Sequence, residues 1–377
     1  MWTLVSIFIG IRTAGGHSSA AVMNVYYHAT HSALEGANTY ESGHYHYPPH
    51  FTAIYIPFYK LGRPAGDVAW QIVGVAFVAA AFWLMARRYS TDRHGRLFLW
   101  TSLLALPSCM TSMRTGQANA MFAAMLIFSS IAIANARFFT ASVIFAGATI
   151  SKYLSMPMML LSCLSHPKMI LRLISVAAAW LALPFLLLGN DRATDQYQKF
   201  VEHVGGLVKG ENETAQITAH RFADLNGIFR SLGYEMPRMW FVLIAAFAAF
   251  ATAIYWFTRS KRIQEPQRAL LLLALSVCYL MLFNPMTESN SYIISVPVIA
   301  LIAINKDLFQ YAPRLKSLLI VSILVMSFAP ELVRPIMSDA RLWLKPTAAI
   351  LWLGAVITLC EREAAKTQTQ SVSDCPA

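Results

Sequence analysis

Short polar motifs interrupt the apolar stretches of this chain at four places. They are Gly43-His44-Tyr45-His46-Tyr47-Pro48-Pro49-His50, Arg114-Thr115-Gly116-Gln117-Ala118-Asn119, Ser151-Lys152-Tyr153 and Asn284-Pro285-Met286-Thr287-Glu288-Ser289-Asn290-Ser291-Tyr292. Together they supply cations, amides, imidazoles and a carboxylate. Cations and amides are the groups that bind a phosphate and sugar hydroxyls.

Two cations in these motifs are candidates for phosphate binding, Arg114 and Lys152. The stretch from Arg114 to Asn119 fits a site in which Gln117 and Asn119 bind hydroxyls, and it fits a capped helical turn equally well. Lys152 fits a phosphate ligand, and it also fits an anchor whose ammonium reaches the membrane surface. Tandem prolines after Tyr47 predict a break in the chain followed by the first turn of a new helix.

The composition indicates what kind of secondary structure must position these motifs. Of 377 residues, 56% are hydrophobic and only 13% are charged, too few charges to cover the surface of a soluble protein of this size. The net charge of +11 is spread between apolar runs and forms no basic face, which argues against nucleic-acid binding. The sequence therefore predicts an all-α polytopic membrane protein.

Apolar runs predict about twelve membrane spans, since a helix needs roughly 20 apolar residues to cross the hydrocarbon core. The clear ones lie near 68–86, 95–112, 118–135, 169–189, 239–257, 269–283, 315–331 and 346–360, and weaker ones near 138–151, 154–164 and 291–305. A first helix before Arg12 is shorter than a full span. Residues 1–363 are expected to form one membrane domain, followed by a disordered cytoplasmic tail at 364–377.

Lysine and arginine in the short loops predict the orientation, because cytoplasmic loops retain positive charge. The loops near 87–96, 259–268 and 306–316 are basic, which places both termini inside. Two long segments, 11–67 and 190–238, then face outward. The aromatic residues of the first indicate helices that lie in the headgroup layer on the outer side.

The four motifs, in this order and spacing, resemble the polyprenol-phosphate-mannose-dependent mannosyltransferases, which are family 87 of the C-type glycosyltransferases. The resemblance is carried by Tyr47-Pro48-Pro49, Gly116-Gln117-Ala118-Asn119, the segment from Gly147 to Lys152 and Asn284-Pro285, and it covers about residues 20–305. It implies transfer of mannose, or of another hexose or pentose, from a polyprenyl phosphate to an acceptor hydroxyl. The implied partners are this lipid donor, a glycan or glycolipid acceptor and membrane lipid, at the outer side of a cell membrane such as a bacterial inner membrane.

Such enzymes use a first-loop aspartate as general base, whereas here Val22-Met23-Asn24-Val25 precedes the paired tyrosines Tyr26-Tyr27. Glu41 is then the first candidate for the base, and Glu288 is the second. His44, His46 and His50 are further acceptors of a proton, although a histidine among tyrosines is more often an interfacial hydrogen-bonding residue. The pair His44-Tyr45-His46 lacks a carboxylate that would complete a metal site, so we expect no metal and no cofactor.

The polar turn Asp224-Leu225-Asn226-Gly227 resembles the turn that faces the cleft in these transferases, and it is also a common turn sequence. Substrate-binding candidates are thus His46, Tyr47, Gln117, Asn119, Asn226 and Asn290. His220, Arg221 and Arg230 nearby are expected to face lipid headgroups.

Two other functions fit the same sequence. One is a flippase or transporter of a lipid-linked sugar, although ionisable residues are almost absent from the middle of the predicted spans. The other is a catalytically silent homologue that binds the lipid carrier, which the missing aspartate favours.

Overall fold

The computed structural model describes residues 1–15, 22–42, 44–90, 94–152, 155–209, 222–284, 287–305, 313–333 and 340–373. The described chain is helical, and its one extended pairing is a single antiparallel bridge between Phe222 and Glu288. This confirms the prediction of an all-α membrane protein. The predictions that concern Gly43, Tyr153, His220, Arg221 and Pro285 lie outside the described residues.

The first half of the chain contributes ten helices to the described structure. They are α1 (Trp2–Ala14), α2 (Val22–Glu35), α3 (Pro49–Lys60), α4 (Ala65–Tyr89), α5 (His94–Arg114), α6 (Asn119–Ala134), α7 (Phe138–Ser151), α8 (Met156–Ser165), α9 (Met169–Leu188) and α10 (Asn190–Lys209).

The second half contributes six α-helices and two short 3-10 helices to the described structure. The α-helices are α11 (Leu225–Ser231), α12 (Arg238–Arg259), α13 (Gln267–Phe283), α14 (Val296–Ile304), α15 (Pro313–Val333) and α16 (Ala340–Ser373). The 3-10 helices are Ser260–Arg262 and Ser289–Ile294.

Four helical stretches of the described chain are long and apolar enough to cross a membrane. They are Ala65–Tyr89, Met169–Leu188, Arg238–Arg262 and Leu342–Lys366. The stretches Met169–Leu188 and Arg238–Arg262 leave most of their apolar side chains uncovered by protein, as expected of helices that face lipid. Shorter apolar helices include α1, α6, α7, α8 and α13.

The most deeply buried part of the protein is formed by α13 and α14. Every residue of α14 up to Ala303 is buried, and α13 is buried from Ala269 to Leu282 except for Tyr279. Helices α6, α8 and α16 pack against α13, whereas α5 and α15 pack against α14. Because protein surrounds them, these short helices need not match the thickness of a bilayer by themselves.

The tandem prolines start helix α3 as predicted. Pro48 is the extended N-cap residue with φ −69° and ψ 166°, and Pro49 occupies the first turn. Proline suits this position because the missing amide hydrogen would have no partner in the helix.

The first outer segment differs from its prediction in the placement of its aromatic residues. Tyr26, Tyr40, Tyr45, Phe51 and Tyr55 are buried inside the protein and pack against one another. These rings are therefore covered by protein, which the sequence did not predict, and their depth relative to the headgroup layer stays a prediction. Aromatic content indicates burial of rings, but it does not distinguish a membrane interface from a protein core.

Helix α16 continues to Ser373, through polar residues for which the sequence predicts a disordered tail. The segment begins with Ala364, Ala365 and Lys366, which favour helix, and Lys366 pairs with Glu363 at 2.6 Å.

Candidate active site

Three of the four polar motifs meet at one end of the bundle through a chain of side-chain hydrogen bonds. Lys152 Nζ donates to Asn119 Oδ1 at 2.8 Å, and Asn119 Nδ2 donates to Gln117 Oε1 at 2.9 Å. Gln117 Nε2 in turn donates to Glu288 Oε2 at 3.0 Å. We call these four residues the polar network; it joins an ammonium to a carboxylate through two amides.

The turn that precedes α6 holds Gln117 and Asn119 in place. Gly116 adopts φ +67°, a left-handed conformation that favours glycine, and a Cβ there would lie 2.5 Å from the Met23 side chain. The Gly116 carbonyl accepts a hydrogen bond of 2.8 Å from Trp70 Nε1. The amide hydrogen of Gln117 bonds to the Ser112 carbonyl. The turn is thus fixed by the preceding helix and by α4.

Lys152 directly follows the last residue of α7, so it is held by the end of a short helix. Gly147 in that helix faces Trp180 of α9, where an added Cβ would lie 2.8 Å from the indole ring. Because glycine has no side chain, α7 and α9 approach each other closely at this point. Burial lowers the pKa of Lys152 to about 8, and the Glu288 carboxylate opposes that shift.

The remaining motif, from Gly43 to His50, contacts the polar network through Tyr47. Lys152 Nζ lies 5.2 Å from the centroid of the Tyr47 ring, which is the geometry of a cation–π contact. The Tyr47 ring stacks on Phe51 at 4.3 Å, and its carbonyl accepts a hydrogen bond of 3.1 Å from the Tyr40 hydroxyl. Both contacts fix the ring beside the ammonium.

His46 pairs with a histidine that sequence reasoning missed. His46 Nδ1 and His203 Nε2 lie 3.0 Å apart, and the two rings stack at 5.2 Å. Burial, the neighbouring His203 and His44, and Lys152 lower the pKa of His46 to about 4, while Glu288 acts in the opposite direction. His46 is therefore neutral at pH 7. The sequence offered no signal for His203, since it lies in an amphipathic helix between Glu202 and Val204 and belongs to no polar motif.

The turn at Asp224 lies against the segment that carries Glu288. Phe222 and Glu288 form a backbone bridge, and the Ala223 amide hydrogen donates to the Thr287 carbonyl at 2.7 Å. The hydroxyl of Tyr292 also donates to the Ala223 carbonyl, at 3.1 Å. These contacts join segment 190–238 to the polar network.

Asp224 has a structural role in this turn. Its carboxylate accepts a hydrogen bond from the Gly227 amide at 3.0 Å as the N-cap of α11, and Arg230 lies 3.5 Å away. Burial raises the pKa of Asp224 to about 6, although Arg230 and the backbone donors oppose the shift. Arg230 thus contacts Asp224 rather than only lipid headgroups.

Two amide oxygens near Glu288 are buried and have no hydrogen-bond partner among the described residues. They are Asn226 Oδ1, beside the Asp224 cap, and Asn290 Oδ1, two residues after Glu288. A buried acceptor without a donor costs free energy, on the order of 1–3 kcal/mol. A ligand with hydroxyl groups would satisfy both oxygens.

A second cation that the sequence analysis did not select lies close to this segment. Lys345 Nζ donates to the Ser289 carbonyl at 2.7 Å and lies 5.6 Å from the Tyr292 ring centroid. It comes from the first turns of α16, more than fifty residues from Ser289 along the chain. The contact of Lys345 with Ser289 could not be deduced from local sequence.

Two candidates are not part of the polar network in the described structure. The side chains of Glu41 and Arg114 are exposed, and no described hydrogen bond or ion pair joins either to the network. Glu41 stands in a turn after Tyr40, whereas Arg114 ends α5. Within the described ranges, no group of three or more histidine, cysteine, aspartate or glutamate residues is arranged to hold a metal ion.

A comparison with protein-family models finds a match over residues 45–285 with the model of glycosyltransferase family 87. The match extends from Tyr45 to Pro285. It includes the second and third motifs whole, the first from Tyr45 onward, and only Asn284-Pro285 of the last, so Glu288 lies just beyond it. The chain belongs to glycosyltransferase family 87. This confirms the resemblance on which the sequence analysis relied. A search of curated proteins and a search of solved structures gave no match.

Membership in family 87 indicates a membrane glycosyltransferase, which acts on a sugar donor and an acceptor. The polar network holds an ammonium and a carboxylate that are linked by two amides. Asn24 stands where the resemblance implies an acid. Its Oδ1 accepts a hydrogen bond from the guanidinium of Arg63, which also pairs with Asp67 at 2.8 Å.

Proposed function

We propose that this family 87 protein transfers a sugar from a polyprenyl-phosphate donor to an acceptor hydroxyl at the outer face of a cell membrane. The sugar is mannose or another hexose or pentose, and the acceptor is a glycan or glycolipid. The observation that carries the proposal is the polar network, in which Lys152 and Glu288 lie at opposite ends of one hydrogen-bonded chain.

Lys152 is proposed to bind the phosphate of the donor. When the bond between the anomeric carbon and the phosphate oxygen breaks, negative charge builds up on the departing polyprenyl phosphate. A fixed cation in a half-buried site stabilises that charge more than it would in water. Arg114 at the exposed end of α5 is proposed to attract the phosphate during entry.

Glu288 is proposed as the general base. As the new bond forms between the acceptor oxygen and the anomeric carbon, the acceptor hydroxyl releases a proton, which the carboxylate takes up. Gln117 donates to one carboxylate oxygen and leaves the other available. Glu41 remains the alternative base, and His46, neutral at pH 7, could accept a proton as well.

Sugar hydroxyls are proposed to donate to the unpartnered oxygens of Asn226 and Asn290. Asn119 and Gln117 keep Lys152 and Glu288 at a fixed separation, so the phosphate and the acceptor would be oriented by one rigid unit. Tyr47 and His46 border the same space beside Lys152.

The experiment compares single glutamine variants in a transfer assay. Purified protein in liposomes receives radiolabelled polyprenyl-phosphate mannose and a membrane lipid extract as the acceptor source, with the glucose and arabinose donors in parallel. Glu288→Gln is expected to lower the transfer rate by about 100-fold or more, the usual contribution of a general base, with donor binding retained. Glu35→Gln, which neutralises an exposed glutamate in α2, is the matched control.

Full activity of Glu288→Gln together with loss of activity in Glu41→Gln would transfer the role of base to Glu41. Binding of every donor by the unaltered protein without transfer would instead favour the carrier-binding homologue. The absence of the first-loop acid supports that second candidate. Movement of labelled donor across the liposome membrane without transfer would favour a flippase.

A further inference from the structure

Tyr26 is a fully buried phenol with two polar contacts. Its oxygen accepts a hydrogen bond of 3.2 Å from the Ala118 amide and lies 3.0 Å from the Tyr47 oxygen. Ala118 is the N-cap residue of α6, so its amide hydrogen has no partner inside the helix. Tyr26 therefore satisfies one of the free donors at the start of α6.

The environment of Tyr26 determines the direction of its hydrogen bond to Tyr47. The side chain is 0% exposed and is enclosed by the rings of Phe51, Tyr55 and Trp70, with centroids 4.7, 5.6 and 5.8 Å away. No acceptor for the phenol proton lies in this shell except the Tyr47 oxygen, within the part of the chain that is described. Because a buried donor without an acceptor is costly, Tyr26 donates and Tyr47 accepts.

This direction leaves the phenol proton of Tyr47 available. The Tyr47 oxygen has no second hydrogen-bond partner among the described residues. Tyr47 is only partly buried, and the Lys152 ammonium lies over its ring. Burial is the main cause that raises the pKa of Tyr47, followed by Tyr26 and then by the charge of Glu288. A phenol whose ring lies under an ammonium is suited to share an anionic oxygen with that cation.

We infer that Tyr47 donates its phenol proton to a phosphate oxygen of the lipid-linked donor, and that Tyr26 is the positioning residue that orients it. The chain of donors runs from the Ala118 amide at the start of α6 through Tyr26 to Tyr47 and then to the ligand. The positive end of the α6 dipole and the aligned bonds strengthen the last donor in such a chain. The inference rests on the proposed function for the identity of the ligand.

A binding experiment on the full-length protein tests the arrangement with a double-mutant cycle. The probe is a short-chain polyprenyl monophosphate, measured by titration in detergent for the unaltered protein, Tyr26→Phe, Tyr47→Phe and the double variant. Tyr47→Phe is expected to weaken binding roughly tenfold, the usual effect of a hydrogen bond to a charged group. Tyr26→Phe should weaken it by a smaller factor, and the double variant should bind like Tyr47→Phe alone.

The control is Tyr45→Phe, because Tyr45 belongs to the same ring cluster but its hydroxyl bonds to Thr52 at 2.7 Å. Phenylalanine keeps each ring, and equal thermal unfolding temperatures of the variants exclude loss of the fold. Polyprenol without phosphate should bind equally to all variants. Competition by inorganic phosphate alone distinguishes recognition of a free anion from recognition of the lipid phosphate.

Effects of the two substitutions that add in the double variant, or unchanged binding by Tyr47→Phe, would overturn the inference. These results are independent of the transfer assay. If the protein does not transfer sugar but the variants show the coupled loss of phosphate binding, the inference holds and the proposed enzymatic function fails. If the protein transfers sugar and Tyr47→Phe binds normally, the enzymatic function holds and the inference fails.

Discussion

At the residue scale, the decisive side chain is Lys152, because its charge state depends on its surroundings. Burial lowers its pKa to about 8, compared with an ordinary value of 10.5. Below pH 8 most molecules carry the ammonium, and above pH 8 most carry the neutral amine. A phosphodiester keeps its single negative charge over this range, so only the protein titrates.

Affinity for a polyprenyl-phosphate sugar is therefore expected to fall as the pH rises from 7 to about 9.5, with a midpoint near 8 in the free protein. Lys152→Arg should keep its affinity at alkaline pH, since a guanidinium remains charged. Lys152→Met should bind weakly at every pH. Titration of the donor at several pH values measures this, and a pH profile of Lys152→Met parallel to that of the unaltered protein would contradict it.

Sequence motifs located part of this site. The amides Gln117 and Asn119, the cation Lys152 and the acid Glu288 were selected from short polar breaks, and the structure joins them in one hydrogen-bonded chain. Glu41 ranked above Glu288 because it lies in the first loop, where the resemblance implies the general base. Position in a loop does not reveal which carboxylate contacts the amides, because that depends on how distant helices pack.

At the element scale, the packing of the Asp224 turn and α11 against α16 depends on close backbone contact at Gly227. A Cβ on Gly227 would lie 2.5 Å from the Leu342 carbonyl oxygen and 2.9 Å from that of Phe222. Both are backbone atoms, so neither can move aside as a flexible side chain would. Helix α11 would have to shift away from α16.

Gly227→Ala is thus expected to destabilise the protein by about 1–3 kcal/mol, the usual cost of overpacking. Gly354→Ala is the matched control, because Gly354 lies in α16 with nothing within 4 Å of its added Cβ. Alanine there should leave stability unchanged or raise it, since it favours helix. Thermal unfolding of the protein in detergent compares the two, and equal melting temperatures would disprove the account of this packing.

Elements were predictable where a local rule determines them. Tandem prolines at Pro48-Pro49 start a helix whatever the fold, and the structure agrees. Burial of the aromatic residues of segment 11–67 was not predicted because a row of tyrosines suits both a membrane interface and a protein core. Only the contact of Tyr26 with Trp70 and Phe51, across distant parts of the chain, decides between them.

At the scale of the whole molecule, hydropathy was sufficient to predict the class of fold. Four described stretches can cross a membrane by length and composition, and the short apolar helices α13 and α14 lie buried among the other helices. The orientation of these helices depends on the lysine and arginine residues of the loops. It remains a prediction that both termini, and loops such as the one with Lys261, are cytoplasmic.

Labelling of single cysteines tests that orientation. In a background without the five native cysteines, Gln117→Cys and Glu288→Cys should react with a membrane-impermeant maleimide from outside intact cells. Lys261→Cys, an exposed position next to Arg262, should react only after permeabilisation. Reaction of Gln117→Cys and Glu288→Cys from opposite sides would exclude a common site, and the cysteine-free protein gives the background.

The length of α7 has a consequence for where the lipid donor meets the protein. Fourteen residues of helix rise about 21 Å, less than the hydrocarbon core of roughly 30 Å. With Phe138 at the inner boundary, the ammonium of Lys152 would lie several ångströms below the outer one. The phosphate would then have to sink toward the acyl chains to be bound, and a thicker bilayer would slow its arrival.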